Sequence, residues 1–140
     1  MASESTNGTS AGAGVRTAAA FAADVLCVLL FVSVGRRNHS EAVTVTGVAQ
    51  TAGPFLIGLV VAWLLSRGWR RPAAVAPTGL TVWVGTVAIG MAVRAGLGGG
   101  VAASFILVAT LVTGALLLGW RTVAQLVAAR LVAARSAAHR

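Results

Sequence analysis

The chain has 140 residues, of which 57% are apolar and only 10% charged, with a mean hydropathy of +0.87; a soluble domain of this size needs far more polar surface, so lipid is the solvent for most of it. Its formal charge of +8 comes from eleven Arg and no Lys set against Glu4, Asp24 and Glu41. A pI near 12.0 does not point to a nucleic-acid partner, because the arginines flank apolar spans and form no stripe on a polar surface. Cys27 is the only cysteine, which excludes an intrachain disulfide, and no Cys/His set exists to hold a metal.

Residues 1–16 are mostly Ser, Thr, Gly, Asn and Ala without apolar periodicity and read as a disordered tail. Asn7-Gly8-Thr9 and Asn38-His39-Ser40 match the glycosylation sequon, but all-Arg basicity with heavy Ala, Val and Gly use fits a bacterial chain, in which both are chance matches. A transmembrane domain is expected over 17–120, in four spans at about 17–34, 43–66, 73–93 and 101–120. Each is close to the ~20 residues a helix needs to cross the hydrocarbon core. A signal peptide competes for the first span, since Arg16 precedes it; Asp24 interrupts the run, however, and Gly35-Arg36-Arg37 follows where small cleavage-site residues should lie. In the third span Pro72 suits a helix start, and Pro77 falls early enough to kink the first turns without breaking the span. Residues 121–140 continue as a cytoplasmic helix or tail; Val123, Leu126, Val127 and Leu131 share a face, so this segment either lies on the inner leaflet or is solvated.

Charge asymmetry sets the orientation. Arg16, Arg67, Arg70, Arg71, Arg121, Arg130, Arg135 and Arg140 would fall on one side, against Arg36, Arg37 and Arg94 on the other. Both termini and the middle loop are therefore expected in the cytoplasm, with short outer loops, in a bacterial inner (plasma) membrane. Trp63, Trp69 and Trp120 fall at the cytoplasmic interface, as an aromatic belt does.

Asp24 is the only acidic residue in the spans. A carboxylate at mid-span adds roughly 2.5–3.5 kcal/mol to insertion, so such a residue faces protein or water. It is a proton or cation relay, the partner of a buried Arg, or a hydrogen-bonding link between helices. Arg94 is the natural partner to consider, but it closes the outer end of the third span while Asp24 lies only ~10 Å into the first from the inner side. A snorkelling Arg94 is the plainer reading. Gln50 and Pro54, with Thr51, Gly53 and Gly58, interrupt the second span and could build a polar break opposite Asp24; ordinary Pro-kinked packing gives the same pattern. Asp24, Gln50, Pro54 and Arg94 are thus the candidate intramembrane site. At the outer face, Arg36, His39 and Glu41, with Arg94 nearby, could form an anion or headgroup site, or simply a charged interfacial loop. One His and one Glu lack the ligand count of a metal site. No cofactor motif and no catalytic constellation is present, so no enzyme is expected.

The chain resembles a family of small four-span membrane proteins of bacteria and archaea known as domain of unknown function 3054. The resemblance runs over about residues 23–121 and rests on Ala23-Asp24, Gly35-Arg36 with His39, Gly53-Pro54-Phe55-Leu56 with Gly58, Pro77-Thr78-Gly79, Trp83 with Thr86, Gly90 with Arg94, Phe105-Ile106, and Trp120-Arg121. It implies a four-helix membrane bundle and no assigned activity. The expectation is an all-α, integral-membrane four-helix bundle, acting as a non-catalytic accessory or assembly subunit. It would meet the lipid bilayer and either a second copy of itself or a larger membrane protein. The alternative is a small oligomeric transporter or channel using a protonatable Asp24.

Overall fold

A computed structural model describes residues 3–140, with side chains from Asn7 onward. The chain forms helices α1 (Ser3–Asn38), α2 (Val45–Ser66), α3 (Leu80–Gly96) and α4 (Ala103–Ala138). α1, α2 and α4 each provide a stretch long and apolar enough to cross a membrane, as α3 does together with the turn Val75–Gly79 before it, and in hydrocarbon only a helix satisfies its own backbone without neighbours. The helices run alternately up and down. Each packs on the next, and α4 returns to α1, so the bundle closes as a ring with both termini at one end. That end carries Arg67, Arg70 and Arg71 and is the basic end; the α1–α2 and α3–α4 loops form the far end.

Inward faces follow helical spacing. Ala20, Asp24, Val28 and Phe31 line α1; Ala52, Phe55, Leu59 and Trp63 line α2; Ala109, Thr113, Leu117 and Arg121 line α4. Outside, Leu26, Leu30, Leu64, Leu65, Val84, Leu107 and Leu111 are each more than half exposed. A continuous belt of this kind suits lipid and no aqueous surface. This is a membrane protein.

Several boundaries differ from the sequence reading. The expected disordered tail is helical from Ser3, with residues 1–2 outside the described part. Residues 7–16 are exposed and extend a helix already nucleated in the span, so they carry no nucleation cost of their own. The fourth span and the C-terminal segment are likewise one helix of 36 residues. The second span begins at Val45, where the Thr44 side chain caps the Gly47 N–H at 3.1 Å. Pro54 is buried inside an unbroken α2, as ordinary helix packing has it, and no polar break forms there. The break occurs instead before α3. A single wide turn, Val75–Gly79, contains an extended Ala76 (φ −123°, ψ 137°), and the Ala76–Pro77 peptide is cis.

Between α3 and α4, the Trp83 indole donates to the Thr110 carbonyl at 2.9 Å and lies over Gly114, where a Cβ would come within 2.8 Å of the ring. Trp83→Phe keeps the ring contact and loses only the hydrogen bond. It is expected to cost ~1 kcal/mol, seen as a melting temperature a few degrees lower in detergent.

Candidate functional site

Asp24 is fully buried, and its partner is Arg121, not Arg94. The guanidinium meets the carboxylate in a fork, Nη1 to Oδ1 and Nη2 to Oδ2, both at 2.7 Å. Two tryptophans complete the shell. Trp120 Nε1 donates to Oδ1 and Trp63 Nε1 to Oδ2, each at 2.8 Å. Four N–H donors therefore fill the four acceptor positions of one carboxylate. Arg121 is equally engaged. Its Nε donates to the Pro72 carbonyl at 3.1 Å and Nη1 also to the Leu117 carbonyl at 2.9 Å, so four of its five N–H groups are bonded.

The surrounding chain is shaped to this pair. A Cβ at Gly79 would lie 2.9 Å from Arg121 Cδ, so the turn before α3 uses glycine where the Arg stem passes. Gln125 Nε2 donates to the Ala73 carbonyl at 3.3 Å, tying the same loop to α4. Phe21 packs edge-on against Trp63, with ring centroids 5.3 Å apart. The clasp thus joins α1, α2, α4 and the α2–α3 loop at the basic end. Two of the three tryptophans expected in an interfacial belt turn inward to serve it, while Trp69 is about half exposed.

The rest of the intramembrane set is dispersed. Gln50 is exposed and lies 13 residues before Trp63, about 20 Å along the helix. Pro54 is buried in the α2 core. Arg94 sits at the far end, where its Nε donates to the Gly100 carbonyl at 2.7 Å and its guanidinium stacks on Phe105, 4.7 Å from the ring centroid.

At that far end a cavity of about 370 Å³ lies among α1, α2 and α4 and brings Arg36, His39, Glu41 and Arg94 around one space, with Thr51 and Ser104. Arg36 organises the α1–α2 loop. It pairs with Glu41 at 2.7 Å, binds the Ala42 carbonyl through Nε and Nη2 at 3.1 and 2.9 Å, and reaches the Thr51 hydroxyl at 3.2 Å. Glu41 thereby neutralises Arg36. Among the described residues there are two ion pairs, and Arg94 is in neither. Phe31, Val32, Phe105 and Val108 form the apolar wall. No group of three metal-ligating side chains occurs among the described residues.

Reasoning from sequence missed Arg121 because it was counted as the first residue beyond the fourth span. The signal was present, since Ala109, Thr113, Leu117 and Arg121 recur every four residues on one stripe. Most of the residues that carry the family resemblance gather at the clasp, the far-end cavity and the α2–α3 contact at Gly58, Thr86 and Gly90, while Trp83 packs between α3 and α4. A family model described as "Protein of unknown function (DUF3054)" matches residues 21–124. No curated protein and no solved structure matches the chain.

Proposed function

The chain belongs to DUF3054, a family of proteins of unknown function, and from its own residues we propose that it is a non-catalytic accessory or assembly subunit of a bacterial inner membrane, with both termini in the cytoplasm. The observation that carries this reading is the arm of α4. The helix is 36 residues long, or about 54 Å, against a hydrocarbon core of about 30 Å. Beyond Arg121 it continues without a break to Ala138, so the helix is longer than the span requires. Val123, Leu126, Val127 and Leu131 on this arm are each more than half exposed and share one helical face. An exposed apolar stripe on a helix longer than the span needs is a seat for a partner helix, here one belonging to a larger membrane protein. The eight arginines toward the basic end support the cytoplasmic assignment of that end.

The transporter reading has less support. It needs a titrating Asp24 near a polar break, whereas that carboxylate is saturated with donors and Gln50 lies far along α2. A photo-crosslinking residue placed at Leu126 or Leu131 in cells tests the proposal. A discrete adduct with a larger membrane protein is expected, and none from the lipid-facing position Val84. Adducts at twice the chain's mass would make the partner a second copy. Lipid adducts alone, or proton-coupled flux by the purified protein that Asp24→Asn abolishes, would overturn the accessory reading.

A further inference from the structure

We propose that the far-end cavity is a binding site for one anionic amphiphile, a lipid-type molecule with a phosphate or carboxylate head and an acyl chain. The site is independent of what the α4 arm binds. Three features select this ligand class. The first is an uncompensated cation: Glu41 answers Arg36 at 2.7 Å, while Arg94 holds the Gly100 carbonyl through Nε alone and its two terminal amino groups have no hydrogen-bond partner among the described residues. These two groups form the planar fork that grips an oxyanion. His39 and Ser104 border the same space and supply further N–H and O–H donors to the headgroup.

The second feature is the wall. A site for a free oxyanion would be polar on all sides, whereas here Phe31 and Val32 are buried against the cavity and Phe105 carries the Arg94 guanidinium on its ring. The third is the connection to the bundle surface. Val108 lines the cavity and is 52% exposed in the lipid-facing belt. A chain entering past Val108 lies on the hydrocarbon side while its head meets Arg94 at the interface, so neither end is left in the wrong solvent. A volume of about 370 Å³ takes a headgroup and the first methylenes, with the remaining chain along the outside of α4.

Native mass spectrometry of the full chain in a neutral detergent tests this, with phosphatidylglycerol and phosphatidylcholine of identical acyl chains as probes. The expected result is one retained phosphatidylglycerol per chain, preferred about tenfold over phosphatidylcholine, equivalent to ~1.4 kcal/mol. Arg94→Gln brings the two lipids near parity. Val108→Trp, which fills the apolar mouth and leaves every charge in place, weakens retention of both, so the test does not hang on one variant that also loosens the Gly100 loop. Arg70→Gln with Arg71→Gln at the basic end leaves the preference unchanged, which separates the site from lipid gathered by the arginine-rich end. The proposal is overturned if Arg94→Gln keeps the preference, if the Arg70/Arg71 variant removes it, or if millimolar inorganic phosphate displaces the lipid completely and so marks a site for the free ion.

Discussion

Arg121→Gln is expected to lower the unfolding free energy by about 3–5 kcal/mol, and Asp24→Asn by a similar amount, since removing one member of a buried pair strands the other. Both side chains are fully buried, and neither can reach water without opening the junction of three helices. Trp63→Phe and Trp120→Phe each remove one charge-assisted hydrogen bond and should cost less, about 1.5–3 kcal/mol. Reversible unfolding in mixed micelles reads all four. Two double variants separate charge from geometry. Asp24→Leu with Arg121→Met removes both ions and should recover a large part of the loss, limited by the two indole N–H groups it orphans. The exchange Asp24→Arg with Arg121→Asp keeps both charges yet should recover little. In it the indoles would face a guanidinium, donor against donor, and the Pro72 and Leu117 carbonyls would face a carboxylate, acceptor against acceptor. An exchange variant as stable as the wild type, or a single variant within 1 kcal/mol of it, would show that the converging donors do not hold the bundle together.

The four spans were legible because apolar length is a strong signal, and lipid permits few other folds. The ends of the helices were not. Composition marked residues 1–16 as unstructured, yet a helix seeded inside the membrane propagates outward through Ala11, Ala13 and the Ala18–Ala20 run. Asp24 was legible as a residue needing a partner, and the basic end as the place where arginines collect. Joining them required treating Arg121 as the last residue of an inward stripe when its number along the chain suggested the first residue past the interface. Trp63 and Trp120 were hidden by the same rule, because interfacial tryptophan is usually a belt residue and only the fold shows that these two turn in. The outer cluster was easier. Arg36, His39 and Glu41 are neighbours in sequence, and Arg94 ends a helix that emerges on the same side, so topology alone brings them together. The opposing state of the two arginines, one neutralised by Glu41 and the other uncompensated, depends on side-chain geometry that no spacing encodes.

Gly58→Ala is expected to cost about 1–3 kcal/mol, more than its single added methyl suggests. A Cβ there would lie 2.8 Å from the Thr86 carbonyl oxygen, 3.0 Å from the Gly90 nitrogen and 3.2 Å from Thr86 Cα. All three are backbone atoms, so no side chain can turn aside and α2 would have to move off α3. Helices in lipid associate through such close backbone approach, because lipid tails compete for every apolar contact. Gly53→Ala and Gly119→Ala are the controls: a Cβ at either would meet nothing within 4 Å, so both should be neutral or slightly stabilising. Thr86 adds a test of opposite sign at the same contact. Its hydroxyl is the one buried side-chain polar atom without a hydrogen-bond partner among the described residues, and an orphaned hydroxyl costs about 1–3 kcal/mol. Thr86→Val keeps the shape and removes the orphan, so stability should hold or rise while Gly58→Ala lowers it. If both lower it in the same unfolding assay, the hydroxyl has a partner in the membrane, and the α2–α3 contact is held by more than close packing.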